Sequence, residues 1–246
     1  MTEGSRRERL RAETAREIKE TALALLSEGG PGAVTLRAIA RRMGMTAGAI
    51  YGYYATRDDL LTALIDDVYT ALMDEIEQAC DALPADDASG RLLAWAETFR
   101  RWSVANPEGF RLVYGEPVPG YRPPPGGPAP GAERRACAGL VTLVAAAWPY
   151  LTSPGEVSPK GSQEISPYEW SDFGPGLADE VRASHPGLPP SAVALALRVW
   201  GRMHGLVALE VHGHLRVQAR HPDKLYRDEI CDLVTSLGLP APGPRP

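Results

Sequence analysis

Apolar residues recur along the N-terminal third of the chain at the three- and four-residue spacing of one helical face. Ile18, Ala22, Leu25 and Leu26 form the first stripe. It predicts a helix from Ser5 to Glu28, opened by the Ser-x-x-Glu spacing of Ser5 and Glu8 and stopped by Gly29-Gly30-Pro31-Gly32. Leu36, Ile39, Ala40 and Met43 form a second, shorter stripe behind Thr35, and Gly44 breaks it. Thr46 is placed to cap a short helix from Ala47 to Tyr53. Thr56 is placed to cap a long one over 57–80, with Asp58 and Asp59 in the first turn, where the helix dipole favours anions. Leu60, Leu61, Leu64, Ile65, Val68, Leu72, Met73 and Ile76 line that helix.

After a polar linker, helices are predicted at Ser89–Ala105, Pro107–Tyr114, Glu133–Tyr150, 190–215 and 223–237. Helix 190–215 is apolar nearly all round, which predicts burial on both sides. The proline- and glycine-rich run 115–131 reads as loop. Residues 152–176 read as a long irregular segment, either a mobile lid or disordered. No alternating strand pattern and no internal repeat stand out. The expected fold is all-α, with an N-terminal helix-turn-helix three-helix domain and a larger C-terminal helical bundle. The expected division is 1–56 for the first domain, 57–80 for a connecting helix, 81–240 for the second domain and 241–246 for a disordered tail.

Composition narrows the function. The 246 residues are 44% hydrophobic, enough for a sizeable core, and carry a net charge of −5. The charge is uneven. Residues 1–60 hold ten Lys/Arg against eight Asp/Glu, and the remainder sixteen against twenty-three. That is the asymmetry of an anion-facing N-terminal part on an acidic body. Cys80, Cys137 and Cys231 are far apart and have no zinc spacing, so no metal and no cofactor are expected. His204, His212, His214 and His221 find no carboxylate at ligand spacing. The charged N-terminus lacks an apolar core like that of a signal peptide, and no stretch of eighteen uncharged apolar residues occurs. The expectation is a cytoplasmic protein without a membrane partner.

The run Thr46 to Leu61, TAGAIYGYYATRDDLL, carries the chemistry. A helix entering the major groove needs short side chains where it approaches base edges, and Ala47, Gly48 and Ala49 supply them. Tyr51 and Tyr53 place hydroxyls at the groove wall, Arg57 adds a cation beside a helix start, and Arg37 can reach a guanine edge. Tyr54 reads more readily as a packing residue.

The segment Val34 to Leu61 resembles the DNA-binding pattern of the TetR family of transcriptional regulators. Tyr53 stands where many members carry His or Phe. By position, the resemblance implies a DNA-facing set of Arg37, Thr46, Ala47, Gly48, Ala49, Tyr51, Tyr53 and Arg57. Trp200 to Leu215 resembles the Trp–His-Gly signature of a WHG-type TetR C-terminal domain, and Asn106 to Tyr121 resembles a segment of such regulators. The resemblance implies that the C-terminal domain binds a small molecule and dimerises. Its large aromatics are the candidate lining of an apolar pocket: Phe99, Trp102, Phe110, Tyr114, Trp148, Trp170 and Trp200, with His204 one turn after Trp200. Gly201 and Gly205 suit close helix approach, and helices 190–215 and 223–237 are the expected homodimer contact. The expected function is a repressor released from a near-palindromic operator in double-stranded DNA by a small, largely apolar effector. No phosphate-binding glycine loop or nucleophile elbow supports the alternative of an enzyme with a fused helix-turn-helix, and Arg37, Tyr51, Tyr53 and Arg57 weigh against a protein-interaction adaptor.

Overall fold

The computed structural model describes residues 3–152 and 168–240. Its α-helices are α1 (Glu3–Gly29), α2 (Leu36–Arg42), α3 (Ala47–Tyr51), α4 (Arg57–Asp81), α5 (Ala88–Ala105), α6 (Pro107–Tyr114), α7 (Pro130–Thr152), α8 (Pro175–Ser184), α9 (Pro190–Val211) and α10 (Pro222–Ser236). Among the described residues there is no strand, so the fold is all-α. Short 3-10 turns occur at Pro31–Ala33 and Trp170–Asp172. The chain divides into two compact units, Met1–Ala71 with Asn106–Ala132 and Leu72–Ala105 with Glu133–Pro246. This differs from a linear division, because α6 and the proline-rich run fold with the N-terminal helices.

In the first unit the capping side chains set the helix boundaries. Thr35 Oγ1 accepts from Ala38 N at 3.1 Å, and Thr46 Oγ1 accepts from Ala49 N at 3.2 Å. Thr56 and Asp59 cap each other's backbone reciprocally, both at 3.0 Å. Gly44, at φ 66°, ends α2 in a Schellman turn: Met45 N donates to Ala40 O at 2.8 Å and Gly44 N to Arg41 O at 3.3 Å. The core of this unit is Ile18, Ala22 and Leu26 from α1, Leu36 and Ile39 from α2, Ile50 from α3, Leu60, Leu61 and Leu64 from α4, and Phe110 from α6. The expected start of α1 at Ser5 is corrected, since the helix already runs from Glu3. The end of α3 moves from Tyr53 to Tyr51, because Gly52 closes the helix.

In the second unit α5, α9 and α10 pack on one another. Tyr226, 2% exposed, donates its hydroxyl to Ala96 O at 3.1 Å, and this buried environment pushes the phenol's pKa well above its usual range. Arg100 binds Glu210 through two bonds of 2.8 and 2.6 Å, and Arg135 binds Glu77 and Asp74. The expectation of irregular chain through residue 176 is partly corrected: α8 begins at Pro175 and buries Ala178 and Val181. Residues 153–167 and the expected tail 241–246 lie outside the described residues. Helix α9 ends at Val211 instead of residue 215. Its burial is one-sided in the single chain. Ala192, Val193, Ala196, Val199, Met203 and Val207 are buried, whereas Leu197, Trp200 and Leu209 are exposed. By length and mean hydropathy α9 would also suffice to cross a membrane, but that buried row is core packing.

Gly139 on α7 is a position where the second unit leaves no room for a side chain. A Cβ there would sit 2.4 Å from two ring carbons of Trp95, a side chain only 6% exposed. Gly139→Ala is therefore expected to cost about 1–3 kcal/mol, the scale of an overpacked core, despite its better helix propensity. Urea unfolding of the variant against the wild type measures it, and an unchanged midpoint would contradict the packing described.

Candidate nucleic-acid interface

Helix α3 is anchored by one residue and otherwise open. Ile50 is fully buried, and Ala47, Gly48, Ala49 and Tyr51 are exposed. A Cβ added at Gly48 would meet nothing within 4 Å, so nothing in the fold itself demands a glycine there. Thr46 spends its hydroxyl on the cap. Tyr53, half-buried, lies under the guanidinium of Arg11 at 5.0 Å, and Arg11 Nη2 also donates to Gly52 O at 2.7 Å. Tyr54 is half-buried, and desolvation raises its phenol pKa, as suits a packing residue.

The three arginines of α2 divide by partner. Arg42 forms a two-bonded pair with Glu28 at 2.5 and 2.7 Å, and these hydrogen bonds hold the Glu28 carboxyl below its usual range. Arg37 and Arg41 are exposed and make no hydrogen bond or ion pair among the described residues. They stand four residues apart on one face of α2. Arg41 was missed by sequence reasoning, although its spacing from Arg37 was the signal that could have found it.

Arg57 is corrected. The sequence reading offers it as a cation for the DNA backbone, but its guanidinium is turned onto the protein's own carbonyls. Nε donates to Val34 O at 2.8 Å, Nη2 to Pro31 O at 2.8 Å and Nη1 to Pro119 O at 3.4 Å. Two further bonds hold the proline-rich run to the first turns of α4: Arg122 N donates to Asp58 at 3.2 Å, and Thr62 and Tyr121 share a hydroxyl bond of 2.9 Å. Arg57 therefore ties the start of α4 to the turn before α2 and to the proline-rich run.

The aromatic set expected around an effector is split between the two units. In the first, Tyr114 stacks edge-on against Tyr69 at 5.6 Å and lies 5.3 Å from Phe110. Tyr69 is an addition that the sequence reading did not single out. In the second, His204 lies 6.0 Å from Phe99 and 5.3 Å from Trp200, and burial lowers its pKa and favours the neutral ring. Trp102 is buried, Trp148 half-buried, and Trp170 carries the Arg182 guanidinium at 4.7 Å. An open groove of about 620 Å³ in the first unit runs between α4 and the proline-rich run, past Asp58, Thr62, Asp66, Arg122 and Pro124. None of the expected effector residues lines it, and its carboxylates do not suit an apolar ligand.

Comparison with known proteins decides the class. Residues 18–64 match the family described as bacterial regulatory proteins, tetR family, and residues 92–233 match the tetracyclin repressor-like C-terminal domain. The chain belongs to the TetR family of transcriptional regulators. It is 33% identical over 213 residues to the HTH-type transcriptional regulator Rv1816 of Mycobacterium tuberculosis, covering 85% of each chain. The same figures hold for the HTH-type transcriptional regulator Mb1846 of Mycobacterium bovis. In structure it is similar to the regulatory protein SCO4313, with a TM-score of 0.68 and 28% identity over 93% of this chain and 98% of that one. A tetR-family regulatory protein from Rhodococcus RHA1 shares the fold, with a TM-score of 0.61 at 18% identity over 92% and 97%. As a TetR regulator, the protein is a DNA-binding regulator of a kind that typically works as a dimer.

The tie at Arg57 makes a stability prediction. Arg57→Ala should lower unfolding free energy by about 1–3 kcal/mol, because it leaves carbonyls without their charged donor. Arg57→Lys should recover only part, since an ammonium lacks the fork that reaches separate acceptors. Chemical denaturation of the three proteins checks both, and full recovery by lysine would contradict the geometry.

Proposed function

We propose that the protein is a repressor that binds a near-palindromic operator as a two-fold dimer and leaves it on binding a small, largely apolar effector. The carrying observation is the exposed face of α3, small at Ala47, Gly48 and Ala49 and phenolic at Tyr51, beside Arg37 and Arg41 of α2, which have no hydrogen-bond or ion-pair partner among the described residues. Short side chains permit close approach to base edges, and Arg37 supplies a donor fork for guanine. Thr46 presents the opening amides of α3, and Tyr53 and Tyr51 line the groove wall. One such helix is too short to specify an operator alone. A two-fold pair about 34–36 Å apart reads two half-sites.

The exposed side of α9 supports the dimer. Leu197, Gly201, Gly205 and Leu209 recur every four residues, with Trp200 beside them, so leucines flank a glycine crossing point. Together with α10 it offers the isologous surface that a helix-pair interface needs.

For the effector, the aromatics Phe99, Trp102, Trp148, Trp170 and Trp200 with His204 offer apolar surface and one polar handle. Phe110 and Tyr114 belong to the same unit as α3. A ligand that displaces Tyr114 acts on Tyr69 of α4, and so on the helix whose first turn Arg57 ties to the turn before α2. It shifts the equilibrium only by its differential affinity for the two arrangements. Operator and effector must then weaken one another by the same factor.

Two outcomes test this reading. Gly48→Leu should leave the melting temperature unchanged or raised, since leucine is the better helix former, yet weaken binding to a selected operator by about tenfold or more, the scale of one base-edge interaction. Unaltered affinity would remove α3 from the groove. Gly201→Arg with Gly205→Arg should give a folded monomer by analytical ultracentrifugation at micromolar concentration, where the wild type is a dimer. A monomeric wild type, or a variant that still dimerises, would place the interface elsewhere.

A further inference from the structure

Helix α1 is 27 residues long, and its inward face changes character part-way along. From Ile18 onward that face is core: Ile18 and Ala22 are fully buried and Leu26 is 5% exposed. Followed towards the N-terminus in helical steps, the same face passes Thr14, then Arg11, then Arg7. Arg11 is bonded to Gly52 O and lies over the Tyr53 ring, the two residues that directly follow α3. It thereby fixes the protruding end of α1 against the edge of the candidate DNA face. Beyond it, every residue from Arg6 to Leu10 is exposed, and Arg7 has no hydrogen-bond or ion-pair partner among the described residues. A helical face that is apolar inside the unit becomes cationic where it runs past the unit's edge.

We propose that Arg7 is a further DNA-contacting residue, pairing with a backbone phosphate that flanks the bases approached by α3. The inference rests on the DNA-binding reading of α3 above. Continuity with that face, through Arg11, Gly52 and Tyr53, selects duplex DNA as the partner. A planar guanidinium fork suits a phosphate, and a pairing of this kind positions the protein without reading sequence. Arg16 provides the contrast. It carries the same charge on the far side of α1 and is paired with Glu20 at 3.6 Å.

The test uses the full-length protein and a duplex selected by the wild type from a random pool, with affinity measured from about 50 to 200 mM salt. Arg7→Ala should reduce the slope of log affinity against log salt by about 0.9 for each phosphate no longer neutralised, hence by about twice that for a two-fold complex. Arg7→Lys should keep most of the slope, and Arg16→Ala should keep all of it. Trimming the duplex from both ends should weaken the wild type at a length where Arg7→Ala is indifferent. A wild-type slope in Arg7→Ala, or an equal fall in Arg16→Ala, overturns the proposal. If the wild type selects no duplex, the reading of α3 itself falls, and this inference with it.

Discussion

A helix of five residues has no stability of its own, because nucleation costs more than so few hydrogen bonds return. The interface therefore depends on what holds α3 in place. Ile50 is buried, Thr46 caps the first turn, and the Schellman turn at Gly44 sets the angle between α2 and α3. Gly44 is needed there because a side chain at φ 66° is strained. These three devices leave the remaining α3 side chains free of structural duty. That freedom is what makes a glycine at position 48 informative, since the fold could accommodate a better helix former there.

The arginines show the same division of labour. Arg42 is held by Glu28, Arg57 by carbonyls, Arg100 by Glu210, Arg135 by Asp74 and Glu77, and Arg202 by Glu229. Exposed pairs among them add little stability, but each commits a guanidinium to one direction. Among the described residues Arg37 and Arg41 have no such commitment, and they lie on the helix that precedes the turn into α3. On an acidic chain, cations grouped on one face still create a local positive potential that can meet a polyanion. Net charge alone conceals this, because it counts a neutralised arginine and an available one alike.

What the sequence made legible was local. The stripes of α1, α2 and α4, the caps at Thr35, Thr46 and Thr56, and the turn at Gly44 depend on residues within one or two turns of each other. What it hid depends on pairings far apart in the chain. Arg57 looked like a free cation because its acceptors, Pro31, Val34 and Pro119, are carbonyls, which every residue carries and no motif marks. Helix α8 was hidden because it buries only Ala178 and Val181, too few positions to show a period. The one-sided burial of α9 was hidden for the opposite reason. A helix apolar all round looks the same whether its second side meets its own chain or another's.

The assignment of α6 to the N-terminal unit alters how regulation can be pictured. Sequence order places Phe110 and Tyr114 in the effector domain, which would require a signal to cross a boundary before it reached α3. By packing, the two residues already share a unit with α3, and Tyr114 rests on Tyr69 of α4. The proline-rich run that follows α6 is bonded to the first turns of the same helix through Pro119, Tyr121 and Arg122. Prolines in that run restrict the backbone beforehand, so a displacement of α6 is less readily absorbed as slack than in a glycine linker. On the proposed reading, an effector that moves α6 acts twice on α4: at Tyr69 through a ring contact, and near Arg57 through the strap. Two attachments on one helix favour a tilt of its first four turns over a local rotation of either side chain. A tilt is the change that reaches the helix-turn-helix, because Arg57 binds the turn before α2 to the start of α4.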